Sequence, residues 1–154
     1  MESLRVTIRQ ATADDHSVLF LLAEENLHPL AVRAGHPERF DPAGFLALLE
    51  SAEVFVAEAE SREIAGYVAF DEIAGAVAFR CFCVNPAHEA KMVANRLMDW
   101  VEGLALSRGC ARLTALVPAG DETSLHLYRR HDFTARAAGE RPEMIALEKR
   151  LPER

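Results

Sequence analysis

The sequence predicts a single α/β domain of about seven strands and about four helices. Three observations predict it: segments that alternate apolar and polar residues, two N-terminal segments that open with helix-capping residues, and an amphipathic stripe directly after a strongly apolar segment. The elements follow the order β, α, α, β, β, β, α, β, α, β, β. No repeat or linker divides the 154 residues, so we expect residues 1–154 to form one domain with a mixed, mostly antiparallel twisted sheet.

The first elements are a strand and two helices. "RVTIR" alternates apolar and polar residues, as a half-buried strand does. Thr12 followed by Asp15 has the spacing of a capping box, which predicts a first helix through about Glu25. The prolines and glycine of "HPLAVRAGHPER" predict a loop. Asp41 as N-cap and Pro42 at the first helical position then predict a second helix to Glu50.

Three strands are expected to form a meander after the second helix. "EVFVAEAE" and "EIAGYVAFDEI" are joined by a polar turn, and "GAVAFRCFCV" follows the break at Gly75. The continuous apolar character of this last strand predicts that both of its faces are covered. Cys81 and Cys83 stand two apart on it and therefore share one face.

A long helix is predicted from Ala90 onward. Its apolar residues recur at three- and four-residue spacing, which predicts one buried stripe: Val93, Leu97, Trp100, Val101 and Leu104. The helix should end at Arg108 and Gly109, a cation near the C-terminal dipole and a residue suited to the left-handed conformation. The strand "CARLTALV", the short capped helix in "PAGDETSLHLYRRHDF" and the strands "FTARAAG" and "RPEMIALEKRL" complete the chain.

Composition disfavours several classes of function. The net charge of −7 disfavours nucleic acid as a partner, because such binding depends on Lys and Arg contacts to phosphate. The longest apolar run, Val18–Ala23, is far shorter than the roughly 20 residues that cross a bilayer, and the N-terminus has no signal architecture. We therefore expect a cytoplasmic protein with no membrane partner. Three cysteines in a chain of this size predict reduced thiols, and the absence of a second cysteine pair predicts no metal site.

The element order and two sequence segments resemble the GNAT superfamily, the Gcn5-related N-acetyltransferases. In "SLHLYRRHDF", Leu127, Tyr128 and Phe133 stand where the family has a Leu-Tyr pair and a later Gly-Phe, with Asp132 in place of the glycine. "SRGCARLTALV" matches the family's basic residue and glycine between the long helix and the fifth strand. The resemblance covers nearly the whole chain, and it implies a GNAT-like fold in which strands four and five splay apart.

The resemblance also implies acetyl-CoA as cofactor. The family's pyrophosphate loop, Q/R-x-x-G-x-G/A, aligns with "EAKMVA", in which only the final alanine matches. Free amides at a helix N-terminus suit phosphate because the dipole adds about half a positive charge there. The implied cofactor-binding residues are Phe82, Cys83 and Val84, through their backbone groups, with Glu89, Ala90, Lys91, Met92, Val93, Ala94, Asn95, Asp121, Ser124 and Tyr128.

The resemblance implies acetyl transfer to an amine, with Tyr128 as catalytic residue. A tyrosine that stays protonated at neutral pH can give its proton to the departing thiolate. Some family members carry, on the fourth strand, a carboxylate that removes the proton of the amine. This chain has Ala78 at that position. The remaining candidates for substrate binding or proton removal are Glu24, Glu25, His28, His36, Asp71 and Glu72.

Three hypotheses of function follow. The first is an N-acetyltransferase acting on a primary amine of a small molecule or peptide by direct attack, with a homodimer as one assembly. The second is a catalytically inactive domain that has lost CoA binding and acts as a binding or regulatory module; Glu89, Met92, Asp132 and Ala78 depart from the family pattern and motivate it. The third is that the fold is another α/β sandwich with a helix after a buried strand, and so not an acetyltransferase fold. Within the first hypothesis, a catalytic thiol at Cys83 is a rival to direct attack.

Overall fold

The computed structural model describes residues 5–33, 42–88, 90–136 and 144–152, without the side chains of 26–33 and 42. The predicted element order is confirmed in these residues. The strands are β1 (Val6–Gln10), β2 (Glu53–Ala59), β3 (Ile64–Ile73), β4 (Ala76–Val84), β5 (Arg112–Pro118), β6 (Thr134–Ala135) and β7 (Met144–Arg150). The helices are α1 (His16–Arg33), α2 (Pro42–Ser51), α3 (Ala90–Ser107) and α4 (Glu122–Arg130), and a short 3₁₀ turn (Ala13–Asp15) precedes α1.

The first helix is longer than the sequence predicts. We expected it to end near Glu25 and a loop to follow, but α1 continues through Pro29 to Arg33. A proline removes one helical hydrogen bond, and the helix formers on both sides of it can carry the helix onward. The start of α2 at Pro42 is as predicted, whereas Asp41 lies outside the described residues.

The sheet has the order β1-β2-β3-β4-β5-β7-β6. Neighbouring strands are antiparallel except β4 and β5, which are parallel. One buried cluster lies between β2–β4 and the helices α1 and α2, and a larger one joins the opposite face of the sheet to α3 and α4. We call these the α1 face and the α3 face. None of the helices in the described residues is long and apolar enough to span a bilayer.

The alternation of side chains along β3 and β4 supplies both clusters. On β3, Tyr67 and Ala69 face α1, while Val68 and Phe70 face α3. On β4, Cys81 and Cys83 pack together on the α1 face. Coverage of both faces of β4 and the shared face of its two cysteines are therefore confirmed, and all three cysteines are free thiols.

Helix α3 approaches the sheet most closely at Gly66. A Cβ atom there would lie 2.9 Å from Val93 Cγ1 and 3.0 Å from the carbonyl oxygen of Cys83. Real Cβ atoms essentially never come under 3.0 Å, and a strand carbonyl cannot move aside as a flexible side chain can. The glycine therefore sets how closely the first two turns of α3 rest on β3 and β4.

Gly66→Ala should lower the free energy of unfolding by about 1–3 kcal/mol, the usual cost of overpacking. The matched control is Gly103→Ala on α3, where nothing lies within 4 Å of the added methyl group. The control should be neutral or stabilise by up to about 1 kcal/mol, because alanine is the better helix former. Urea denaturation of both variants measures the difference, and equal stability of the two would contradict the close packing.

An ionic contact ties the end of β1 to the turn before α1. Arg9 donates from Nη1 to Asp15 Oδ2 at 2.8 Å and from Nη2 to Asp15 Oδ1 at 2.9 Å, and it also binds Glu58. Thr12 N donates to Asp15 Oδ2 at 2.8 Å, as expected for the predicted capping box. The hydrogen bonds from Arg9, with that from Thr12, lower the pKa of Asp15 from 3.8 to about 2.

Asp15→Asn should therefore destabilise the protein by about 1–2 kcal/mol at neutral pH, less than the full shift implies because water screens the partly exposed Arg9. A lowered folded-state pKa stabilises above the unfolded value of 3.8, and this contribution is lost as pH falls toward 2. The gap between wild type and variant should close over that range in denaturation curves. Asp14→Asn, a change at an exposed neighbour, should show no such closing.

Candidate active site between the fourth and fifth strands

Strands β4 and β5 pair only at their beginnings. The parallel ladder joins residues 76–78 of β4 to residues 112–114 of β5. Farther along, β5 continues to pair with β7 as far as Pro118, while β4 continues to pair with β3 as far as Val84. The two strands therefore separate into a V-shaped gap, which confirms the predicted splay.

A β-bulge marks the point where the strands separate. Ala69 pairs with Cys81 and Phe70 pairs with Phe79, so Arg80 has no partner on β3. An extra residue bends its strand and increases the local twist. The bulge at Arg80 therefore lies at the apex of the gap and accounts for the divergence of β4 from β5.

Backbone groups of β4 point into the gap. Asn85 N donates to Ala65 O at 2.8 Å, which places the backbone groups of residue 85 on the β3 side. Because successive residues of a strand alternate, those of Cys83 also face β3, and those of Phe82 and Val84 face the gap. No ladder partner for these two residues exists on that side in the described sheet. Of the three predicted backbone ligands, Phe82 and Val84 are thus open to a ligand and Cys83 is not.

The loop between β4 and α3 is held by Asn85 rather than by glycine. Its Oδ1 accepts from Ala87 N at 3.0 Å, and its Nδ2 donates to Ile64 O at 3.3 Å. His88 N donates to Asn85 O at 3.1 Å and closes a turn. Sequence reasoning missed this residue, although the Asn-Pro pair is itself a turn signal.

The first turn of α3 lies at the open end of the gap. The backbone amides of Ala90, Lys91 and Met92 have no hydrogen-bond acceptor within the helix, because they belong to its first turn. Ala90 and Lys91 are exposed. Glu89 lies outside the described residues. Val93 and Ala94 are buried beneath the helix, so their side chains belong to the core. The helix terminus can bind an anion through backbone groups alone.

Tyr128 lies against the bulged part of β4. Its ring packs on Phe79, Phe82 and Phe133, with centroid distances of 5.8, 6.5 and 5.0 Å. Burial raises the pKa of this phenol, and the nearby Cys81 and Asp121 add to the effect. In the described part of the chain, the hydroxyl of Tyr128 makes no hydrogen bond. Every fully buried side-chain oxygen or nitrogen in that part has a hydrogen-bond partner. The hydroxyl is therefore not sealed from solvent and can donate to a ligand.

Helix α4 is fixed at both ends. Asp121 is its N-cap and accepts from Ser124 N at 3.1 Å, so the carboxylate of this predicted cofactor residue already has a structural partner. At the other end, His131 Nε2 lies 2.8 Å from Oδ1 of Asn95 on α3, and burial lowers the pKa of the histidine. Asp132 has a φ of 69°, a conformation that suits the glycine usual in the family and that aspartate tolerates.

The candidate residues for the acceptor side are dispersed. Asp71 pairs with Ala78 and accepts from Arg80 Nη1 at 2.6 Å, so it lies on the α1 face at the apex of the gap. Glu72 is on the opposite face, where it binds Arg108 beyond the end of α3. Glu24 and Glu25 are exposed on α1. The side chain of His28 and the whole of His36 lie outside the described residues.

The geometry does not favour a catalytic thiol. Cys83 is 2% exposed, and its Sγ donates to Leu22 O at 3.7 Å. Burial raises the pKa of this thiol to about 12. A group that stays protonated at neutral pH and is closed to solvent is a poor nucleophile.

Comparison with known proteins gives a consistent result. A search of curated proteins found no match. The model of the Acetyltransferase (GNAT) family matches residues 19–133, from α1 to the end of the segment that carries Tyr128. Acetyl-CoA is the cofactor that this family uses.

Solved structures share the fold over nearly the whole chain. The PaiA N-acetyltransferase of Thermoplasma acidophilum, in complex with coenzyme A, has a TM-score of 0.79 at 14% identity, covering 96% of this chain and 99% of that one. YncA of Salmonella typhimurium, with its cofactor acetyl-CoA, has a TM-score of 0.70 at 20% identity, covering 97% and 96%. An acetyltransferase of the GNAT family from Staphylococcus aureus has a TM-score of 0.76 at 12% identity, covering 96% and 100%. With a splayed sheet and a family match over most of its length, the chain belongs to the GNAT family of acetyltransferases.

Proposed function

We propose that the protein is an N-acetyltransferase that transfers an acetyl group from acetyl-CoA to a primary amine by direct attack. The acceptor is a small molecule or a peptide. The observation that carries the proposal is the position of Tyr128: its ring packs on Phe82 beside the gap between β4 and β5, and its hydroxyl has no hydrogen-bond partner among the described residues. A core tyrosine without such a role would be expected to have a protein partner for its hydroxyl.

The residues of the gap fit the cofactor. The exposed first turn of α3 offers amides and a positive dipole end to the pyrophosphate, with Lys91 as an added cation. The backbone groups of Phe82 and Val84 are placed to bind the pantetheine arm and the thioester oxygen as an added strand would. Asn95, Asp121 and Ser124, whose side chains or amides are engaged within the protein, contribute to positioning α3 and α4.

Tyr128 acts as the general acid. Acetyl-CoA supplies a thioester whose carbonyl carbon accepts the amine, so that a C–N bond forms, the C–S bond breaks and the sulfur leaves as a thiolate. Tyr128 gives its proton to that sulfur and regains one from solvent. Its raised pKa keeps the phenol protonated throughout the physiological range, so Tyr128 holds a proton to donate and does not act as a base.

The amine nitrogen must lose one proton in the same reaction. Asp71 is the carboxylate that pairs directly with Ala78, the position where some family members carry the acid on the fourth strand. It takes the proton directly or through water. Glu24, Glu25 and His28 stay predictions for the acceptor site, and the ion pair of Glu72 with Arg108 turns that residue away from it. A homodimer and a cytoplasmic location also stay predictions.

Titration with CoA tests the cofactor site first. Calorimetry should show heat, and the melting temperature should rise with CoA concentration as expected for a ligand of the native state. Glu89→Arg should tighten binding severalfold, because it replaces an anion by a cation at the residue that precedes Ala90, where α3 begins. Glu50→Arg makes the same charge change on α2 and should have no such effect. Absence of heat and of any thermal shift at millimolar CoA would favour the inactive-domain hypothesis instead.

Replacement of the two tyrosines tests the chemistry. Tyr128→Phe should lower kcat by about 10²- to 10⁴-fold while CoA affinity changes little, because only the proton donor is lost. Tyr67→Phe is the matched control: its hydroxyl donates to Leu19 O at 2.9 Å on the α1 face, away from the gap. That variant should lose about 1 kcal/mol of stability and keep its kcat. Thiol release is the readout, and full activity of Tyr128→Phe would refute the acid role.

A further inference from the structure

The bulged residue Arg80 carries its side chain onto the α1 face. Its Nη1 lies 2.6 Å from Oδ2 of Asp71, and the alternation along β3 places Asp71 on that face. Tyr128 and Phe79 occupy the α3 face at the same level of the sheet. The apex of the gap therefore has a proton donor on one side and an Arg–Asp pair on the other.

Among the described residues, the α1 face is the more exposed side of the apex. Aromatic packing of Tyr128 with Phe79, Phe82 and Phe133 fills the α3 face beside the apex. On the opposite face, β5 presents Thr114 and Leu116 next to Ala78, and Leu116 is 52% exposed. Arg80 and Asp71 lie on this more exposed side of the apex.

The guanidinium of Arg80 has N–H donors that no described residue uses. Its side chain is 53% exposed, and Nη1 makes its one hydrogen bond to a described residue. An arginine has five N–H donors in a planar fork that matches a carboxylate with two parallel hydrogen bonds. The nearest carboxylate on β7, Glu148, is already bound by Arg136 and Arg150. Arg80 therefore has N–H donors available to a ligand at the apex of the gap.

We propose that the acceptor amine carries a carboxylate, as an amino acid does, and that Arg80 binds it. In this arrangement Asp71 positions the guanidinium for the carboxylate of the acceptor and lies toward the amine of the acceptor. Because Arg80 and Asp71 are only 2.6 Å apart, the pair matches a small molecule whose carboxylate and amine are close together. This inference rests on the proposed acetyl transfer and adds the class of acceptor. It disfavours diamines and internal lysines of peptides, which offer no carboxylate beside the reacting amine.

Paired acceptors test the inference. Each of several amino acids, such as leucine, is assayed for thiol release beside its amide and its decarboxylated amine, here leucinamide and 3-methylbutylamine. Leucinamide loses its amine proton more readily than leucine, so a preference for leucine cannot come from amine basicity. Wild type should prefer the acids at least tenfold in kcat/KM, and Arg80→Met should reduce that preference by about 10- to 100-fold, the effect of a hydrogen-bonded charge.

Two further variants separate binding of the carboxylate from general damage. Arg80→Lys keeps the positive charge but lacks the planar fork of N–H donors. The preference of this variant for acids should therefore lie between those of the wild type and of Arg80→Met. Arg150→Met removes a cation whose side chain is 89% exposed on β7, where Arg150 pairs with Arg112 at the closed end of the β4–β5 ladder, and it should keep the wild-type preference. Thermal melting and CoA titration of each variant check the fold and the cofactor site.

The outcomes distinguish this inference from the proposed function. Acetylation of amines and amides as well as acids, or a preference that survives Arg80→Met, overturns the inference and leaves acetyl transfer standing. A panel in which no amine of any kind releases thiol overturns both. If the wild type prefers acids, and this preference is lost in Arg80→Met but kept in Arg150→Met, the result supports both the inference and the proposed acetyl transfer.

Discussion

The site depends on one constraint, the hydrogen-bonding capacity of the backbone of β4. A strand inside a sheet must pair on both edges, and β4 does so only at its beginning. Beyond the bulge at Arg80 one edge is free, and the groups of Phe82 and Val84 have no strand beside them. A ligand that pairs with this edge completes the sheet, and this is the role proposed above for the cofactor.

The two faces of the sheet differ at the apex of the gap, and the difference suits direct transfer. Tyr128 lies among aromatic rings on the α3 face, where burial keeps its proton in place. Arg80 and Asp71 form a partly exposed ion pair on the α1 face. A thioester between them can lose its sulfur toward a proton donor while a polar acceptor arrives from the other side, with no covalent enzyme intermediate required.

Local signals predicted much of this arrangement. The cap at Thr12, the helix start at Pro42 and the left-handed Gly109 are properties of short segments, and the structure confirms them. The predicted stripe of α3 is confirmed at Val93, Leu97 and Val101, but it is wrong at Trp100, whose side chain is 41% exposed, because the buried face of the helix turns toward Met98 and Ala105 instead. The extension of α1 through Pro29 was not predictable, because a proline only weakens a helix and distant contacts decide whether it continues. The turn before α3 forms without glycine, because Asn85 Oδ1 accepts a hydrogen bond from Ala87 N.

By itself, the sequence determined the order of the elements, the location of Tyr128 on a short capped helix and the presence of a helix N-terminus after a buried strand. Periodicity and capping act over a few residues, so one segment suffices to reveal them. Only the tertiary structure decided that Arg80 is the bulged residue, that Asp71 forms an ion pair with it on the α1 face and that Glu72 binds Arg108 on the opposite face. These facts depend on the register between strands, and a shift of one residue exchanges the two faces of a strand.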